Sequence, residues 1–149
     1  MISVCTPYLQ GNEKKYLLDC VESNWISSAG KYIKEFEEKF SRYCGCQYGS
    51  TVTNGTTALH LAVAALGLGK GDEIIMPSFA IASTAFAAVY GGAKPVFVDS
   101  EKDTWNINPA GIEEKITKRT KAIIPVHTYG HPCDIDAIIK MARKYKLWV

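Results

Sequence analysis

Three short apolar runs constrain this chain more than any other feature. Glu73-Ile74-Ile75-Met76 closes at Pro77-Ser78, and Lys94-Pro95-Val96-Phe97-Val98 ends at Asp99. The third run, Lys121-Ala122-Ile123-Ile124-Pro125-Val126, leads into His127. Each run is apolar at successive positions, so both of its faces need cover. The stretches between them have helical spacing. Residues 81–90 are alanine-rich and end at Gly91-Gly92; Asn108 with Pro109 opens a helix to about Lys118. Asp134 caps another, with Ile135, Ile138, Ile139 and Ala142 facing inward. Strands alternating with helices predict an α/β fold, a mainly parallel sheet with helices on both faces. Ligands of such sheets sit at the carboxyl ends of the strands. The loops after Thr53, Met76, Val98 and Val126 are therefore expected to line one crevice.

Residues 48–53 read as a β-prone run feeding a turn at Asn54-Gly55, and a helix follows at once. Ala58, Leu59, Ala62, Val63 and Leu66 supply its apolar spacing, and Gly67 ends it. A helix start offers free backbone N–H groups and partial positive charge, which suits an anion. Gly55 permits close backbone approach, and the Thr56 and Thr57 hydroxyls add donors. The same residues also fit an ordinary threonine-capped helix. Other phosphate loops are excluded: no G-x-x-x-x-G-K-[ST] run exists, and Gly67-Leu68-Gly69-Lys70-Gly71 fits neither that motif nor G-x-G-x-x-G.

Ahead of this core, residues 2–9 read as extended, with Pro7 barring a central strand. Residues 12–23 read as a helix with Leu17, Leu18 and Val21 inward, and residues 32–43 as a second, with Ile33, Phe36, Phe40 and Tyr43 on one stripe. The 17 Lys and Arg and 15 Asp and Glu are interspersed, so a general nucleic-acid or membrane surface is not indicated. No run approaches the roughly 20 apolar residues of a membrane span. The start lacks the basic flank and apolar stretch of a signal peptide. Five scattered cysteines read as reduced thiols of a cytoplasmic protein. His127, His131 and Cys133 around a proline turn lack a fourth ligand, so no metal is expected. His127 stands where the crevice opens; a ligand contact and a structural hydrogen bond are both open to it. Asp99 and Asp134 read as caps.

The order of these pieces resembles the DegT/DnrJ/EryC1/StrS family of sugar aminotransferases, fold-type I enzymes that use pyridoxal 5'-phosphate (PLP). The pieces are Pro7-Tyr8-Leu9, Trp25-Ile26-Ser27-Ser28-Ala29-Gly30, Asn54-Gly55-Thr56-Thr57-Ala58-Leu59-His60-Leu61 and Gly71-Asp72-Glu73-Ile74-Ile75-Met76-Pro77-Ser78-Phe79. Gly92-Ala93-Lys94-Pro95-Val96-Phe97-Val98-Asp99, Thr120-Lys121-Ala122-Ile123-Ile124-Pro125-Val126-His127 and Tyr129-Gly130 complete them. Asp103-Thr104-Trp105-Asn106-Ile107 and the turn at residues 126–130 look most like the perosamine-forming branch.

The resemblance implies an aspartate aminotransferase-like large domain with the PLP phosphate held at Gly55, Thr56 and Thr57. The position that stacks on the pyridine ring maps onto Ile81, an aliphatic surface here, with Phe79 the nearest aromatic. Ser27 and Ser28 lie in a loop that in the family approaches the sugar, and His127 is a further substrate-contact candidate. The implied reaction moves an amino group, with glutamate as donor, to a nucleotide-linked 4-keto-6-deoxy sugar for polysaccharide or glycan precursors, in a homodimer. A dehydratase branch that keeps PLP but replaces the lysine is an alternative, as is a non-enzymatic α/β phosphate-binding module. In the family, the strand matching Leu147-Trp148-Val149 ends in the Asp that pairs with the pyridine nitrogen, and the Schiff-base lysine lies further on. Residues 1–149 are thus expected to be the N-terminal segment and first part of the PLP-binding domain, inactive alone.

Overall fold

The three apolar runs lie side by side. In the computed structural model, which describes Ile2 and residues 5–149, β1 (Glu73–Pro77), β2 (Lys94–Val98) and β3 (Thr120–Ile123) form a parallel sheet in the order β2-β1-β3. Ile75 is the register point, opposite Val96 on one side and Ile123 on the other. Successive side chains of a strand point to opposite faces. Ile74 and Met76 accordingly pack with Val63, Leu68, Ala87, Ala88, Ala93 and Ala122. Ile75 packs on the other side with Val98, Ile107, Ile112, Ile123, Cys133, Ile138 and Ala142. Burying a side chain of this size contributes about 1.5–3 kcal/mol, so the central strand anchors two cores at once.

Helices cover both faces: α3 (Gly55–Ala65) and α4 (Ser83–Tyr90) one, α5 (Pro109–Lys115) and α6 (Ile135–Tyr145) the other. Asn108 and Asp134 cap α5 and α6 as expected, accepting from the N–H groups of Ala110 and Ala137 at 3.0 and 3.1 Å. α5 stops three residues short of the expected Lys118. Ile116 turns extended, which frees Thr117 to donate its hydroxyl to Glu73. β3 is also shorter than its apolar run. Ile124 N–H still reaches Ile75 O at 2.8 Å, but Pro125 has no N–H to continue the ladder. Beyond α6, Trp148 makes a parallel bridge to Ala122, bonding Lys121 O at 2.9 Å and Ile123 N–H at 2.8 Å. Trp148 therefore lies alongside β3, at the place where the family resemblance implies a further strand.

Chain direction decides where the helix starts sit. The short link from Ala65 to Glu73 delivers the chain to the amino end of β1, so α3 runs against the strands. α4 does the same between β1 and β2, and closes at Gly92 (φ +83), whose N–H bonds Val89 O while Ala93 N–H bonds Ala88 O. His60 of α3 meets Tyr90 of α4 with ring centroids 5.8 Å apart. Both helix N-termini thus rise toward the carboxyl edge of the sheet.

The chain divides into two units, Met1–Thr51 and Val52–Val149. Within the first, α1 (Glu13–Glu22) and α2 (Lys31–Tyr43) are tied by Asp19, which accepts from Lys31 at 2.7 Å and from Tyr32 at 2.8 Å. Here the expectation of an inward apolar face fails. Leu17, Leu18 and Val21 are more than half exposed, and the stripe of Ile33, Phe36, Phe40 and Tyr43 is exposed too. Two helices without a third layer leave their apolar faces uncovered. Residues 48–53 form no strand either. With no neighbouring strand to supply a ladder, β-prone side chains do not make one. The expected extended start falls partly on Ser3 and Val4, outside the described residues.

Candidate functional site

At the start of α3, Asn54 is extended and closes a capping box with Thr57. Its Oδ1 accepts the Thr57 N–H at 3.0 Å, and the Thr57 hydroxyl donates to Asn54 O at 2.8 Å. Thr57 Oγ1 also accepts the Asn54 N–H at 3.3 Å. Thr57 is therefore committed twice to holding the helix start. Among the described residues, the N–H groups of Gly55 and Thr56 and the hydroxyl of Thr56 carry no protein partner. A Cβ built on Gly55 would meet nothing within 4 Å, so the backbone is open on that side. Two free amides, a free hydroxyl and the positive end of an 11-residue helix converge on one spot. That arrangement fits a phosphate group.

The loops at the carboxyl ends of the strands add their residues at the same edge. After β1, Ser78 N–H bonds Val98 O at 2.8 Å, which pins the loop to β2. Ile81 falls in the turn before α4, not inside it, and is 73% exposed. Phe79 is half-exposed and pairs with Trp105, ring centroids 5.3 Å apart. After β2, Asp99 caps its own loop, accepting Ser100 N–H at 2.8 Å. After β3, His127 is exposed and its Nδ1 accepts the Cys133 N–H at 3.0 Å. Because a backbone N–H can only donate, Nδ1 is the unprotonated nitrogen and Nε2 carries the proton outward. Of the two possibilities left open for His127, the structural hydrogen bond is the one present, and it uses Nδ1 alone. Cys133 is buried, its Sγ donating to Val126 O at 3.1 Å, and burial pushes its thiol pKa up.

Gly55, Thr56, Thr57, Ile81 and His127 belong to one unit and rise at one edge of one sheet. Ser27 and Ser28 belong to the other unit, in its exposed loop, where Ser27 O accepts the Gly30 N–H at 3.1 Å.

One residue of this edge escapes sequence reasoning. Asn106 is 1% exposed, and its side chain spans the whole loop after His127. Oδ1 accepts the Thr128 N–H at 2.9 Å, and Nδ2 donates to His131 O and Pro132 O, both at 3.0 Å. Its partners lie 22 to 26 positions on. The only local sign is a polar residue set between Trp105 and Ile107.

Comparison with known proteins places these features in context. The chain is 50% identical to the GDP-perosamine synthase of Caulobacter vibrioides over 99% of its residues, and 49% identical to that of Escherichia coli O157:H7, also over 99%. It spans about 40% of the length of either relative. Among solved structures it resembles NtdA of Bacillus subtilis with bound cofactor PMP, at TM-score 0.84 and 37% identity, over 90% of this chain and 31% of that one. The sheet and helices described above are thus part of the α/β aminotransferase fold. Residues 7–149 match the profile of the DegT/DnrJ/EryC1/StrS aminotransferase family, and the chain belongs to that family.

Proposed function

We propose that this chain carries the phosphate-holding half of the active site of a PLP-dependent sugar aminotransferase. The observation that carries the reading is the set of unpartnered donors at the start of α3. Gly55 and Thr56 would hold the phosphate through their N–H groups and the Thr56 hydroxyl, with Thr57 keeping those donors in place. When bound, PLP supplies an electron sink for moving an amino group. Ile81, exposed in the turn after β1, would offer an aliphatic surface to the ring, and Phe79 an aromatic one beside it. His127 Nε2–H would donate to an oxygen of the substrate, and Ser27 and Ser28 would add hydroxyl contacts to it.

The named relatives are GDP-perosamine synthases, which supports GDP-perosamine as the amino sugar formed; in the proposed reaction the acceptor is a GDP-linked 4-keto-6-deoxy sugar and glutamate is the donor. In this reading the Schiff-base lysine and the acid for the pyridine nitrogen would come from outside the roughly 40% of the relatives' length that this chain spans, so residues 1–149 alone are expected not to transaminate. A cytoplasmic homodimer is part of the same reading. No helix among the described residues is long and apolar enough to cross a membrane.

The test uses the full-length protein with PLP, glutamate labelled with 15N and the GDP-linked keto sugar, followed by mass spectrometry. An amino sugar carrying the label is the expected product. A deoxygenated sugar without nitrogen would point to the dehydratase branch, and no product with any keto sugar would overturn the reading.

A further inference from the structure

We propose that Asn106 is a positioning residue, which fixes the loop after β3 so that His127 presents its Nε2–H at the carboxyl edge of the sheet. The inference rests on the proposed site only for what His127 donates to; the positioning stands on its own geometry.

The carboxamide of Asn106 is buried, where a polar side chain needs every partner it can reach. It has three, and all belong to one loop: the Thr128 N–H and the His131 and Pro132 carbonyls. They bracket the loop from just after His127 to just before Cys133. Cys133 in turn supplies the N–H that keeps His127 Nδ1 unprotonated. Asn106 therefore grips both ends of the segment whose closure sets the imidazole's tautomer. It is itself held firmly. Glu101 N–H bonds Asn106 O at 2.9 Å, Asn106 N–H bonds Thr104 Oγ1 at 3.2 Å, and Thr104 donates to Glu101 at 2.7 Å.

Two further details point to a geometry that is imposed. Trp105, next to the clamp, has φ +61, and Tyr129, inside the gripped loop, has φ +51. Neither is glycine, and the left-handed region is unfavourable for both. Such backbone persists where the surroundings over-determine it, commonly beside functional groups. The Thr128 hydroxyl also reaches Trp105 O at 3.3 Å, tying one left-handed position to the residue next to the other.

The experiment uses the full-length protein with 15N-labelled histidine, of which this chain has three, assigning His127 by its loss in His127→Gln. Without any ligand, the ring nitrogens of His127 should report a single Nε2–H tautomer. Asn106→Asp keeps the acceptor for Thr128 but loses both donations, and it should give a mixture of tautomers in a protein that still folds. Asn106→Leu removes all three bonds and should give a larger shift. If Leu is too disruptive to fold, the Asp variant alone decides. An unchanged single tautomer in folded Asn106→Asp would overturn the proposal and leave Asn106 as packing. In turnover, Asn106→Asp should lower kcat/KM by about three- to tenfold, the scale of one weakened hydrogen bond. PLP affinity should change less than that. If His127→Gln leaves kcat and KM intact while Asn106→Asp still scrambles the tautomer, the positioning holds and the assignment of His127 to the substrate fails.

Discussion

Asn54 and Thr57 hold each other at the start of α3, and by doing so they separate the tasks of two adjacent threonines. The Thr57 amide and hydroxyl are both spent on Asn54, at 3.0 and 2.8 Å, while the Thr56 hydroxyl has no partner among the described residues. The helix start is thus stabilised by one threonine and made receptive by its neighbour.

Thr56→Val should therefore weaken PLP binding by about 1.5–3 kcal/mol, the worth of a hydrogen bond to a charged acceptor, and barely move stability. Asn54→Ala should do the reverse in part, costing about 1 kcal/mol of folding stability through loss of the cap. Equilibrium titration with PLP and urea denaturation of each variant separate the two. Equal effects of Thr56→Val on both quantities would contradict this division.

Gly91 illustrates a different constraint. Its backbone is ordinary, with φ −72, yet a Cβ added there would stand 2.8 Å from Val63 Cγ1, where α4 ends against α3. Valine has little rotamer freedom with which to retreat. Gly91→Ala should cost about 1–3 kcal/mol by overpacking. Added to Val63→Ala, the same change should cost much less, and a double-mutant cycle of denaturation midpoints reads the coupling.

The parts of the structure legible in the sequence are those with local causes. The runs around Ile75, Val96 and Ile123 are apolar on both faces, which only a covered parallel sheet explains, and Asn108 and Asp134 announce their helices. Asn54 and Thr57 stand at a capping-box spacing, so even the division of the two threonines had a local signal. What stayed hidden depends on distant partners. Residues 48–53 favour a strand but have none beside them. Leu17, Leu18 and Val21 have the spacing of a buried face, but burial depends on another layer being present. Asn106 gives no sign of a loop 22 to 26 positions away. Trp105 and Tyr129 carry no local preference for a positive φ.

Lys146 offers a stability gain by the same logic. It ends α6 in the left-handed region, φ +55, while Leu147 N–H bonds Ala142 O at 2.8 Å; Gly92 fills the matching place after α4. A lysine is unfavourable there by about 1–2 kcal/mol, and glycine gives back about 0.5–1 through its greater freedom when unfolded. Lys146→Gly should raise stability by up to about 1 kcal/mol, visible as a higher urea midpoint with an unchanged slope. A lower midpoint would mean that the lysine side chain contributes more than its backbone costs.

The last expectation concerns pH and the far edge of the sheet. Glu73 opens β1 with its side chain 3% exposed, yet it is charged. Thr117 donates to Oε2 at 2.5 Å, and Arg119 donates to Oε1 through Nε at 3.1 Å and Nη2 at 2.9 Å. The Thr117 hydroxyl bond is the largest cause of a pKa held below the usual carboxylate value; burial works against it, and the arginine adds to it. The sign follows from linkage. A carboxyl whose pKa is lower folded than unfolded stabilises the fold fully above its unfolded pKa, and loses that contribution as pH falls through the folded one. Glu73→Gln should thus be less stable than the wild type by about 1–3 kcal/mol at neutral pH, having exchanged a charged acceptor for a neutral one in a buried place. Below the usual carboxylate pKa the gap should narrow, because the wild type loses its charge and the variant has none to lose. Thr117→Val should lessen the pH dependence without abolishing it, since Arg119 remains. Urea denaturation across an acid series reads all three. A gap between wild type and Glu73→Gln that stays constant down to the acid transition would show that the charge of Glu73 contributes nothing to holding the amino edge of the sheet.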